Sequence, residues 1–178
     1  MTQSVTPEFL PDQNTFVSYD GARLGLTCWE GQEDGPAAGH VVVGLHGMND
    51  YANAFHMAAP YWASQGVTVY AYDQRGFGGG PHRGCWGGTD AMVEDLFTVT
   101  KLLRGRHPEL PLVLAGESMG GAVILTALGR DIPLPADRVV LSAPAVGGWQ
   151  VMKWYQKVGL WTFAHTVPWA KVRPRIKI

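Results

Sequence analysis

The chain has 178 residues, 46% hydrophobic and 16% charged, which makes one domain, or one domain with a small extension, and excludes global disorder. Fourteen basic residues against fifteen acidic ones leave a net charge of −1, so nothing electrostatic points to a nucleic-acid partner. No run of about eighteen uncharged apolar residues is present to cross a membrane, and the two cysteines, Cys28 and Cys85, are too few for a disulfide scaffold or a cysteine-rich zinc site.

Met1 to Asn14 is polar, contains Pro7 and Pro11, and reads as a frayed lead-in. Its first residues have neither a basic n-region nor an apolar h-region, so no secretory signal is expected and the cytoplasm is the default location. Thr15–Ser18 and Arg23–Trp29 read as two strands of a hairpin around Asp20-Gly21. His40–Leu45 (HVVVGL) is a continuous β-branched run, the pattern of a strand buried on both faces. A helix is expected near Phe55–Gln65, a strand over Thr68–Tyr72 and a glycine-rich loop over Gly76–Gly88. Thr89 or Asp90 is placed to cap a helix that runs to about Arg106. Pro111–Gly116 is a further buried strand, Met119–Gly129 a helix and Arg138–Ser142 a last strand.

Apolar strands alternating with helices predict an α/β, doubly wound and mostly parallel sheet with an N-terminal antiparallel hairpin. In such sheets chemistry gathers at the carboxyl ends of the strands. The composition changes at Gly147, so residues 1–146 are read as the core and residues 147–178 as a separate segment. That segment holds four of the seven tryptophans, and Val151, Trp154, Tyr155 and Val158 have the spacing of one helical face. Lys171, Arg173, Arg175 and Lys177 read as a solvated basic tail.

Gly116-Glu117-Ser118-Met119-Gly120 is G-x-S-x-G, with an apolar strand before it and a helical pattern after it. A serine in that place must turn in strained backbone geometry, and its neighbours must be small; Gly116 and Gly120 meet that demand. The turn lifts the Ser118 hydroxyl above the sheet and puts the Met119 N–H at a helix N-terminus, where it can stabilise an oxyanion. His46-Gly47-Met48 follows a strand directly, and Met48 N–H is the candidate for the second oxyanion donor. His46 itself reads as a satisfied structural histidine. Asp73 and Arg75 read as residues that tie down a turn, with Gly76 and Gly78 supplying unusual backbone angles.

Taken together, H-G-M, D-Q-R-G-F-G and G-E-S-M-G-G, in this order and with Ser142-Ala143-Pro144 after the last strand, resemble the α/β-hydrolase fold. Within it the chain is similar to the monoacylglycerol lipase and lysophospholipase group, the serine aminopeptidase-like hydrolases. The match runs from about Thr15 to Ala145, with one departure, Gly80, where a small polar residue is usual. The resemblance implies an esterase that forms an acyl-enzyme on Ser118, with no metal and no cofactor. Its substrate would be a small lipid-like ester, with transient contact at a membrane surface. Residues 147–178 would begin a helical cap. Its Trp149, Trp154, Tyr155, Trp161 and Trp169 read as packing over the protein's own core and, as a consequence in the complete protein, as an apolar lid with Trp154 and Tyr155 facing substrate.

The resemblance also implies a triad in the order serine, acid, histidine. Sixty residues follow Ser118. The acid and the histidine, with the last two strands, are expected to lie outside this chain. Asp131 or Asp137 with His165 obeys the order, but Asp137 precedes its strand and Asp131 ends a helix. Both fall at the amino end of the sheet, about 17 Å from the serine. An open edge at Arg138–Ser142 would favour self-association. The rival readings are a peptidase or amidase of the same fold, and a binding module that lacks the relay.

Overall fold

The hydrophobic run His40–Leu45 forms β4, and it is central because it pairs on both sides. The computed structural model describes residues 5–10 and 14–167. Seven strands, β1 (Glu8–Leu10), β2 (Thr15–Val17), β3 (Arg23–Trp29), β4 (His40–Leu45), β5 (Val67–Tyr72), β6 (Leu112–Glu117) and β7 (Arg138–Ser142), form one sheet in the order β1-β2-β3-β5-β4-β6-β7. β1, β2 and β3 pair antiparallel, and β3 also runs antiparallel to β5. β5, β4, β6 and β7 are parallel. This is the doubly wound α/β arrangement expected from the alternating pattern.

The helices are α1 (Ala58–Ser64), α2 (Thr89–Arg106), α3 (Met119–Gly129) and α4 (Trp154–Thr166). Chain leaves β4 toward β5 through α1, and leaves β6 toward β7 through α3. Right-handed crossovers therefore put α1 on one face of the sheet and α2 and α3 on the other. On α2 the buried Met92, Leu96, Val99 and Leu103 fall at helical spacing, one stripe against the core that also holds Phe16, Leu24, Leu45, Leu114 and Ile124.

Four expectations are corrected. The lead-in is not all frayed, because Glu8–Leu10 pairs with Thr15–Val17. The helix expected near Phe55–Gln65 is a 3-10 turn, Ala52–Phe55, followed by α1. Pro60 explains the late start, because proline fits a first helical turn, where its missing N–H is not needed. Neither Thr89 nor Asp90 caps α2. Gly88, at φ 89°, turns the chain into the helix, and Asp90 pairs instead with Arg130 at 2.6 Å. Val151 lies in a separate 3-10 turn, Trp149–Val151, so the stripe proposed for the last helix begins only at Trp154.

By compactness the chain divides into Met1–Ala145 and Val146–Ile178. The second unit contains α4, in which Trp154 is 75% exposed and Tyr155 52%. Trp169 and the basic tail Lys171–Lys177 lie outside the described residues. Among the described residues β7 pairs on one side only, with β6, and its Val140 is 57% exposed.

Candidate active site

β4 and β6 lie side by side with Leu45 opposite Gly116, so their carboxyl ends finish together. From that point the chain leaves β4 to one side and β6 to the other, which is the switch point where doubly wound sheets open a crevice. His46-Gly47-Met48 leaves one strand there and Ser118 the other. A Cβ built on Gly47 would stand 3.5 Å from the Ser118 Cβ, so the two turns are in contact.

Ser118 has φ 48° and ψ −109°, a backbone conformation that an L-residue adopts only under constraint. The constraint is visible on both sides. Its N–H donates to the Ser142 carbonyl at 2.9 Å, and its carbonyl accepts from Ala145 N–H at 2.9 Å and Ala122 N–H at 3.1 Å. The glycines supply the room. A Cβ on Gly116 would stand 2.7 Å from the Gly121 backbone, and one on Gly120 would stand 2.2 Å from the Leu45 carbonyl oxygen. The helix after the elbow can approach β4 and β6 this closely only with hydrogen at those positions.

Among the described residues neither Met48 N–H nor Met119 N–H donates to any acceptor. Met119 is nevertheless buried. Met119 is the first residue of α3, where N–H groups have no intrahelical partner, so its N–H is available to an acceptor beside the strained serine.

Around this pair the turns are braced. The Asp73 carboxylate accepts from Ala52 N–H at 2.8 Å and Gly79 N–H at 2.6 Å, joining the loop after β4 to the loop after β5. Gly76 and Gly78 have φ 84° and 53°, as the turn reading required. Arg75 holds Asp95 through Nε at 2.6 Å and Nη2 at 2.8 Å, and Asp20 through both Nη atoms at 2.8 Å. Ser18 donates its hydroxyl to Asp95 as well. The hairpin turn, the loop after β5 and α2 are thus tied at one guanidinium.

His46 is fully buried, and its roles are fixed by its partners. Nε2 accepts from Gln74 N–H at 2.9 Å, so Nδ1 carries the proton and donates to the Gly47 carbonyl at 2.8 Å. Burial pushes this imidazole below the usual histidine range, outweighing the Gly47 carbonyl and the Asp73, Asp50 and Glu117 carboxylates. A depressed value means that the unfolded chain takes up the proton first. Stability from neutral His46 is therefore complete above pH about 6.5 and is lost as pH falls below it, by at most ~1.4 kcal/mol per pH unit. Urea midpoints at pH 7.5 and 5.5 are expected to drop more for the native chain than for His46→Gln. A native chain that gains stability on acidification over that range would contradict this.

The other candidates for a relay lie elsewhere or are already engaged. Asp137 accepts from Leu112 N–H at 2.7 Å and from Arg104 at 2.6 Å, at the amino end of β6. Asp131, at φ 53°, follows α3. His165 Nδ1 bonds the Trp161 carbonyl at 2.7 Å within its own helix. Sequence reasoning missed the Asp95 carboxylate and the Ala52 and Gly79 contacts of Asp73. Their partners are 6 to 77 residues apart, and no local pattern links them.

The strand order, the strained serine and the glycine-packed helix define an α/β-hydrolase fold. The chain belongs to the serine aminopeptidase S33 family, whose profile matches residues 36–178. It is 34% identical over 135 residues to the monoacylglycerol lipase of Mycolicibacterium smegmatis, covering 75% of this chain and 47% of that protein. It is 26% identical over 144 residues to the monoglyceride lipase of Rattus norvegicus, covering 79% of this chain and 46% of that protein. A crystal structure of a soluble variant of Saccharomyces cerevisiae monoglyceride lipase with a substrate analog superposes with TM-score 0.65 at 22% identity, over 93% of this chain and 55% of that one. This chain spans about half the length of these lipases.

Proposed function

We propose that this protein hydrolyses carboxylic esters of the monoacyl lipid type through an acyl-enzyme on Ser118. The observation that carries the reading is the strained Ser118 flanked by two unpaired backbone N–H groups, at Met48 and Met119, on the carboxyl side of a parallel sheet. Ser118 Oγ attacks the ester carbonyl, and the two N–H groups hold the oxygen as it becomes negative. The C–O bond then breaks, the alcohol leaves with a proton from the base, and water releases the acid from the serine. The base is a histidine oriented by an acid, both outside residues 1–178, which fits the greater length of the matched lipases. No metal or cofactor enters this scheme. The lipid preference rests on those lipases, and Trp154 and Tyr155 of the second unit are proposed as substrate-facing residues.

The test is intact-mass analysis of the full protein, with the segment that supplies the base, after exposure to a fluorophosphonate, beside turnover of a monoacylglycerol and an aminoacyl arylamide. One phosphonyl adduct, lost in Ser118→Ala, with preference for the ester, is the expected result. Preference for the arylamide would make the protein a peptidase. Ligand binding with neither adduct nor turnover would make it a binding module.

A further inference from the structure

The carbonyl that His46 holds and the N–H expected to hold the oxyanion belong to one peptide unit. Gly47 C=O and Met48 N–H lie in the same plane, and in a trans peptide they point in opposite directions. No cis peptide occurs among the described residues. The Gly47 carbonyl accepts from His46 Nδ1 at 2.8 Å and, in the turn that follows, from Asp50 N–H at 3.3 Å. The imidazole is fully buried, so the carbonyl is drawn toward the interior and the Met48 N–H faces the other way. Gln74 sets the tautomer from behind. Its N–H occupies Nε2 at 2.9 Å, and its side-chain amide donates to the His46 carbonyl at 2.7 Å. Phe77 packs edge-on at 5.6 Å and closes the pocket around the ring.

We infer that His46 is a positioning residue for the oxyanion donor: its Nδ1–H locks the Gly47–Met48 peptide plane and so aims Met48 N–H at the site above Ser118. The inference rests on the serine-hydrolase reading given above. His46 touches no reacting atom. Its proton neither leaves nor arrives during turnover, and its tautomer, imposed by Gln74, is what matters.

Two substitutions separate the functions of the ring. Asparagine places an amide near the Nδ1 position and keeps a donor for Gly47. Glutamine places its amide near Nε2, keeps a partner for Gln74 and loses the donor. In the full protein, His46→Gln is expected to slow fluorophosphonate capture of Ser118 by about 10- to 100-fold, within the range for a weakened oxyanion donor. KM for the ester should stay within about twofold, because the ground-state carbonyl gains little from that N–H. His46→Asn should retain capture within about threefold. Melting temperatures of both variants serve as the structural control. If both lose capture in proportion to lost stability, or if glutamine is as fast as histidine, the positioning role is overturned. The Met48 amide in a 15N correlation spectrum is a readout independent of activity. Its shift should move in His46→Gln, and stay in His46→Asn. If wild-type Ser118 is not captured at all, the hydrolase reading falls, and this amide alone decides whether His46 fixes the peptide.

Discussion

Gly120→Ala is expected to destabilise the protein by roughly 2–3 kcal/mol and to abolish capture of Ser118. The added carbon would stand 2.2 Å from the Leu45 carbonyl oxygen and 2.6 Å from the Leu45 carbonyl carbon, both backbone atoms at the end of β4. A flexible side chain could move aside; a strand held on both sides by β5 and β6 cannot. Helix α3 must therefore back away from β4, and Ser118 moves with it, away from His46-Gly47-Met48. The better helix propensity of alanine offsets about 1 kcal/mol of the clash and does not cancel it. At about 2–4 °C per kcal/mol for a chain of this size, the melting temperature should fall by ~4–12 °C. Gly129→Ala is the control. It lies in the same helix with nothing within 4 Å of the new carbon, so only the propensity gain remains and stability should hold or rise. Equal effects at the two glycines would show that close packing of the elbow is not what requires Gly120.

Asp95→Ala should cost about 3–5 kcal/mol, because it leaves a partly buried cation without its principal partner. The Asp95 side chain is 1% exposed and that of Arg75 12%. After the substitution Arg75 keeps Asp20, which is 40% exposed, and the Tyr19 ring at 5.2 Å, and Ser18 loses the acceptor of its buried hydroxyl. Asp20→Ala breaks the exposed half of the same network and should cost no more than about 1 kcal/mol. Chemical denaturation of the two variants gives both values. If the exposed partner proves the more costly, the guanidinium is held by its surface face and not by the buried one.

Most of the frame was legible in the sequence because its signals are local. HVVVGL and PLVLAG read as strands from their short apolar runs and the turn residues beside them, and G-E-S-M-G-G places a serine between strand and helix by steric need. Glu8–Leu10 was not legible: three residues between prolines become a strand only because Thr15–Val17 lies beside them. The start of α2 was misread because the capping pattern at Thr89-Asp90 lost to the left-handed Gly88, which the glycine-rich loop needs to enter the helix. The networks of Asp73 and Arg75 unite segments remote in sequence, so the residues were visible as turn formers while their partners were not. Trp154 and Tyr155 show the opposite limit. Their helical spacing suggested a face packed on the core, and in the structure they are exposed on a helix with no buried residue.

The backbone of Ser118 is stitched to the far side of the sheet, its N–H to Ser142 and its carbonyl to Ala145. β7 is also the strand that pairs on one side only among the described residues. Fraying at that margin must break the hydrogen bond from Ser118 N–H to the Ser142 carbonyl before it reaches β4. The nucleophile's own N–H is thus a natural gauge of how often the sheet opens at its rim, and its hydrogen-exchange rate gives the fraction of time the elbow is slack. Anything that later seats against β7 would slow that exchange and tauten the serine without touching it.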